Sequence, residues 1–102
     1  MQERMATLKR LPRTIEEVRT EIRWKLGSAA RHLLKRKLRG HLPSDATLAD
    51  YEQIIQSVLT TSDATVYLYW HEDVAYPTIV CPLAGKLWLV MFSIDGIMET
   101  AF

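Results

Sequence analysis

The sequence predicts an α+β fold in which N-terminal helices pack on a four-stranded antiparallel β-meander. Up to Leu59 the apolar residues recur at steps of three and four, the period of a helix. Beyond Ala64 they fall in short runs rich in aromatic and β-branched residues, the composition of strands. The joints between those runs, "HEDVA", "PLAG" and "SIDG", are short and hold turn residues, so each strand returns beside the last. With 102 residues, 48% of them apolar, the chain has material for one core and too little for two.

Residues 1–13 read as a basic N-terminal arm that closes at Pro12, and residues 14–102 as the single α+β domain. In "TIEE", Thr14 and Glu17 have the spacing of a capping box, each side chain meeting a backbone N–H that the first helical turn leaves free. From there Ile15, Val18, Ile22, Leu26, Ala29 and Leu33 form one apolar stripe, with Trp24 on the opposite side. The stripe stays in phase across Gly27, which implies either one kinked helix or two helices meeting there. Gly40 stops the helix, Pro43 follows, and Lys37 and Arg39 suit the negative end of the helix dipole.

A second capping pattern, "TLAD" at Thr47 to Asp50, opens a helix carrying Leu48, Tyr51, Ile55, Val58 and Leu59 and ending near "TTSD". The strands follow as "TVYLYW", "YPTIVC", "KLWLVMFS" and "IMETAF". A two-residue hairpin turn at Asp95-Gly96 pairs Met91 with Thr100 and Phe92 with Glu99. One sheet face then carries Leu87, Leu89, Met91, Met98 and Phe102 around Thr100. The other carries Trp88, Val90, Phe92, Ile94, Ile97 and Ala101 around Glu99. Both are unusually apolar for an antiparallel sheet, so the face the helices leave bare calls for a cover, a homodimer contact or an antitoxin-like partner.

The formal net charge of +1 hides a strong asymmetry. Residues 1–43 hold twelve of the thirteen Lys/Arg against four Glu, and residues 44–102 hold Lys86 against eight acids, so the halves carry +8 and −7. Such a split suits an anionic partner for the basic half, RNA in particular; mutual neutralisation within the fold accounts for it equally well. No apolar run approaches the ~20 residues that span a bilayer, and the basic start is not followed by a signal-like apolar stretch, so a cytoplasmic protein without a membrane partner is expected. The single Cys81 and three scattered His argue for no disulfide and no metal site, and the sequence holds no phosphate loop, serine elbow or dinucleotide fingerprint, so no cofactor is expected.

The densest chemistry lies in "RHLLKRKLRGHLP", residues 31–43. His32, Arg36 and Arg39 stand at i, i+4 and i+7 in one row that borders the apolar stripe, at the rim where helix meets sheet. Cations beside a histidine favour its neutral form, so His32 is a candidate general base and Arg36 a candidate phosphate clamp. Arg31, Lys35 and Arg39 are candidate RNA-binding cations, and His41 in the following loop a further polar candidate. The same spacing also suits a solvated basic face with an incidental histidine.

The order "HLLKRKLRGHLP", "LADYEQIIQSVL", "VYLYW", "YPTIV", "LWLVMFS" and "DGIMETAF" resembles the small ribonuclease-toxin superfamily that groups barnase, EndoU, colicin D and RelE-type toxins. The likeness covers residues 14–102 and rests most on "RHLLKR" and "DGIMETAF". It implies helices before a four-stranded antiparallel sheet, and metal-free RNA cleavage by attack of the ribose 2′-OH on the neighbouring phosphate. Carried onto this chain, it implies catalytic roles for His32, Arg36 and Thr100. The second acid-base group falls to either His41 or Glu99. A non-catalytic RNA- or protein-binding module of the same fold, part of a toxin-antitoxin pair, is the alternative that the same features allow.

Overall fold

The computed structural model describes residues 2–102, with side chains from Arg4 onward. Helices α1 (Gln2–Thr20), α2 (Ser28–Leu38) and α3 (Leu48–Thr60) precede strands β2 (Thr65–His71), β3 (Val74–Leu83), β4 (Lys86–Phe92) and β5 (Ile97–Ala101), and a two-residue strand β1 (Arg23–Trp24) lies between α1 and α2. The fold is α+β, and its sheet has five strands in the order β1-β5-β4-β3-β2. β2 to β5 form the expected antiparallel meander; β1 adds a parallel edge on β5, pairing Arg23 with Ile97 and Trp24 with Met98.

The N-terminal segment departs from the sequence expectation. α1 runs through Pro12, so residues 2–13 are helical, and Thr14 sits mid-helix instead of capping it. Proline removes one helical hydrogen bond, but tertiary anchors hold α1 in line. The buried Thr14 hydroxyl donates to the Ile94 carbonyl at 2.6 Å, and Arg10 reaches Asp95 at 2.9 Å.

The stripe assumed to cross Gly27 is broken as well. The chain leaves the helix after Thr20, Leu26 is fully exposed, and Gly27 (φ +77°) turns it into α2. Hydrophobic period alone cannot detect a two-residue strand inserted between in-phase helices. Gly40 (φ +74°) ends α2 as expected, and Thr47 and Asp50 form the reciprocal capping box that opens α3.

One core lies between the helices and a single sheet face. Val18 of α1 and Tyr51, Ile55, Val58 and Leu59 of α3 bury against Ile79, Cys81, Trp88, Val90, Phe92, Met98 and Ala101. Each fully buried large apolar side chain contributes about 1.5–3 kcal/mol. The register of the last hairpin is right at Met91–Thr100 but shifts beyond it. A bulge pairs Phe92 with Met98, which turns Met98 into the core and leaves Glu99 as the extra residue. The opposite sheet face, with Leu87, Leu89, Met91 and Thr100, carries no helix layer, and Leu87 there is 64% exposed.

Candidate functional site

β1 covers β5 only as far as Met98, so the edge of β5 from Glu99 onward is left to α2. The buried Tyr51 hydroxyl donates to the Ala101 carbonyl at 2.6 Å, which satisfies that free edge and fixes the end of β5 relative to α3. Burial holds the Tyr51 phenol up at about 12, so it stays a donor through the neutral range. Against this edge α2 presents His32, Lys35, Arg36 and Arg39, which with Thr100 and Phe102 line a cleft of about 390 Å³. Thr100 therefore meets α2 at the sheet edge.

Two contacts organise the cleft. His32 Nδ1 lies 3.5 Å from the Thr100 hydroxyl, and its ring lies against Trp24, centroids 5.6 Å apart. Arg36, only 2% exposed, sets its guanidinium carbon 5.2 Å from the centre of the Phe102 ring and brings Nη1 within 3.4 Å of His41 Nδ1. A guanidinium can only donate, so His41 Nδ1 accepts and its proton in the neutral form belongs on Nε2. Among the described residues no carboxylate pairs with Arg36, and its buried Nε has no hydrogen-bond partner. Burying an unpaired charge is expensive, whereas most buried arginines are matched to an acid.

The electrostatics follow from this one-signed crowd. Burial lowers the His32 pKa, and Arg36, Lys35 and Arg31 lower it further, while Glu99 pulls weakly the other way. His41 is also lowered, by burial first and then by Lys86, Arg36 and Arg39. Lys86 is lowered by burial and by Arg36, with its ammonium 3.9 Å from the Trp88 ring centre. Both histidines are thus biased to the neutral form near pH 7. A neutral imidazole beside a buried cation can take a proton while the cation holds an anion.

The structure brings His32, Arg36 and Thr100 together and adds Lys35 and Arg39 at the mouth, both exposed. His41 joins from behind Arg36. Arg31 is exposed and stands outside the cleft, and Glu99 lies 4.0 Å from Lys25. Phe102, Trp24 and Lys86 were not singled out from sequence. Lys86 alone had a signal, as the one cation of the acidic half. Larger hollows elsewhere lack this chemistry: the one of about 450 Å³ beside Leu42 and Ile54 is lined by Asp45 and Asp50 with no cation, and the one of about 420 Å³ sets Arg13 and Arg23 among Glu16, Glu17 and Glu21 with no histidine.

Among the described residues no cluster of His, Cys, Asp or Glu could hold a metal ion, and no helix is long and apolar enough to cross a membrane. No family model, curated protein or solved structure matches this chain, so the reading of the cleft rests on its own geometry.

Proposed function

We propose that the chain is a toxin-like endoribonuclease that cleaves RNA without a metal ion, in the cleft between α2 and the end of β5. The observation that carries this reading is Arg36, a buried guanidinium with no acid partner beside a neutral-biased histidine. A phosphate oxygen would supply the missing partner, and Lys35 and Arg39 at the mouth would add attraction for the flanking backbone.

In this reading His32 takes the proton of the ribose 2′-OH and O2′ bonds to the adjacent phosphorus. The P–O5′ bond breaks, leaving a 2′,3′-cyclic phosphate and a 5′-hydroxyl that gains its proton from water, and the His32 imidazolium returns its proton to the hydroxide so formed. Thr100 orients the His32 ring, and Arg36 stabilises the extra charge on the pentavalent phosphorus. Positioned proton transfer contributes roughly 10²- to 10⁴-fold, and a preorganised cation a comparable factor. The test is incubation of the purified protein with total RNA in the presence of chelator. Cleavage by the native chain and its loss in His32→Ala is the expected result; RNA left intact by the native chain, or cut equally by both, refutes it. Salt-sensitive binding without turnover would instead assign the cleft to a non-catalytic RNA-binding module.

A further inference from the structure

Strand pairing sets four residues in one row across the bare sheet face. Thr100 pairs with Met91, Met91 with Thr78, and Thr78 with Tyr67. Directly paired residues share a face and neighbouring strands lie about 4.8 Å apart, so the row extends about 14 Å from the cleft to Tyr67. Tyr67 is 57% exposed and makes no ring contact with another aromatic among the described residues, whereas nearby Tyr69 lies against His71 with ring centroids 6.4 Å apart. Between the two ends lie half-buried Met91 and buried Thr78, which present no charge.

We infer that this row is a track for single-stranded RNA, with a base beyond the bound phosphate stacked on Tyr67. The inference rests on the proposed function, because the cleft anchors one end of the track. Charge selects the occupant. The row starts at a mouth lined by His32, Lys35, Arg36 and Arg39 without a carboxylate, which suits a polyanion. It ends at a bare aromatic ring, which suits an unpaired base. Sheets of four strands that bind RNA stack about two or three bases, and a track of this length matches that footprint. A duplex buries the faces of its bases in its own stack and has none to offer Tyr67. Glu72, in the turn joining β2 and β3, sets negative charge along the strand axis beyond Tyr69, and Asp73 beside it is paired with Arg4 at 3.3 Å, so the polyanion crosses the strands instead of following them.

The test uses the native chain and a fluorescent uridine heptamer, 2′-O-methylated so that it cannot be cut, with binding read by anisotropy. Tyr67→Ala should weaken binding by roughly five- to a hundredfold, the range for losing one base–aromatic stack. Tyr67→Phe should restore it, and a duplex of equal length should bind more weakly than the single strand. Three results overturn the track. If Tyr67→Ala binds as the native chain does while Lys35→Ala and Arg39→Ala weaken binding, the track fails and the cleft reading stands. If the native chain binds no RNA, the cleft reading fails and the track with it. If light scattering finds a native dimer that Tyr67→Ala splits, a second copy covers the face.

Discussion

His32 Nδ1 and the Thr100 hydroxyl, 68 positions apart in sequence, meet at 3.5 Å where α2 takes over the free edge of β5. This contact joins the basic helix to the last strand and places a proton acceptor beside the buried Arg36.

Acid should destabilise the fold through the two histidines. Both His32 and His41 have folded pKa values below the ordinary 6.5 of the unfolded chain. Between the folded and unfolded values the unfolded state binds more protons, so the stabilising contribution is complete above about pH 6.5 and is lost as pH falls through the folded values. Urea midpoints measured from pH 7.5 down to pH 5 should decline for the native chain. The decline should flatten in the double variant carrying His32→Gln and His41→Gln; an unchanged slope would show that other groups govern it.

Arg36 should matter for binding more than for folding. A buried ion kept for structure costs roughly 3–5 kcal/mol when its partnership is broken, whereas replacing an unpaired one by an apolar side chain of similar length is close to neutral. Arg36→Met is therefore expected to hold stability within about 1 kcal/mol of the native chain while abolishing RNA binding. A loss of several kcal/mol in denaturant melts would make the residue a structural one.

Tyr51 should act on both counts. Tyr51→Phe removes the donor to the Ala101 carbonyl from a fully buried position, an expected cost of about 1–3 kcal/mol. For a domain of this size each kcal/mol lowers Tm by about 4–8 °C. Because the bond fixes the end of β5, RNA cleavage should fall as well even at temperatures where the variant is fully folded. Full activity in the folded variant would show that Thr100 keeps its place without Tyr51.

Replacing Gly96 tests the seat of β1 on the last hairpin turn. Gly96 has φ +83°, and a Cβ there would stand 2.7 Å from Nη2 of Arg23, which donates to the Asp95 carbonyl. Gly96→Ala should cost about 1–2 kcal/mol from backbone strain alone. Gly40→Ala has a similar φ of +74° but open space around it, so its loss should be the smaller of the two. Equal losses would mean that Arg23 yields without cost.

The α3 capping box, the four meander strands and the Met91–Thr100 pairing were legible because each is a local signal: a fixed spacing, a change of period, an Asp-Gly turn. The row of His32, Arg36 and Arg39 was legible for the same reason, since helical spacing alone places them on one side. What escaped depended on distant partners. α1 passes through Pro12 because Thr14 and Arg10 are anchored 80 or more residues away, at Ile94 and Asp95. β1 is strand only because β5 offers an edge, and Met98 turned inward because the bulge dropped Glu99 out of step. The burial of Arg36 was hidden too, because a cation flanked by Lys35 and Lys37 reads from sequence as a solvated face.

The most direct test of the account is the chemistry of the RNA ends left after incubation with the native chain and chelator. Attack by the 2′-OH with His32 as base predicts 2′,3′-cyclic phosphate and 5′-hydroxyl ends, absent from the His32→Ala reaction. Ends bearing a 3′-hydroxyl and a 5′-phosphate, or identical ends from both proteins, would contradict it.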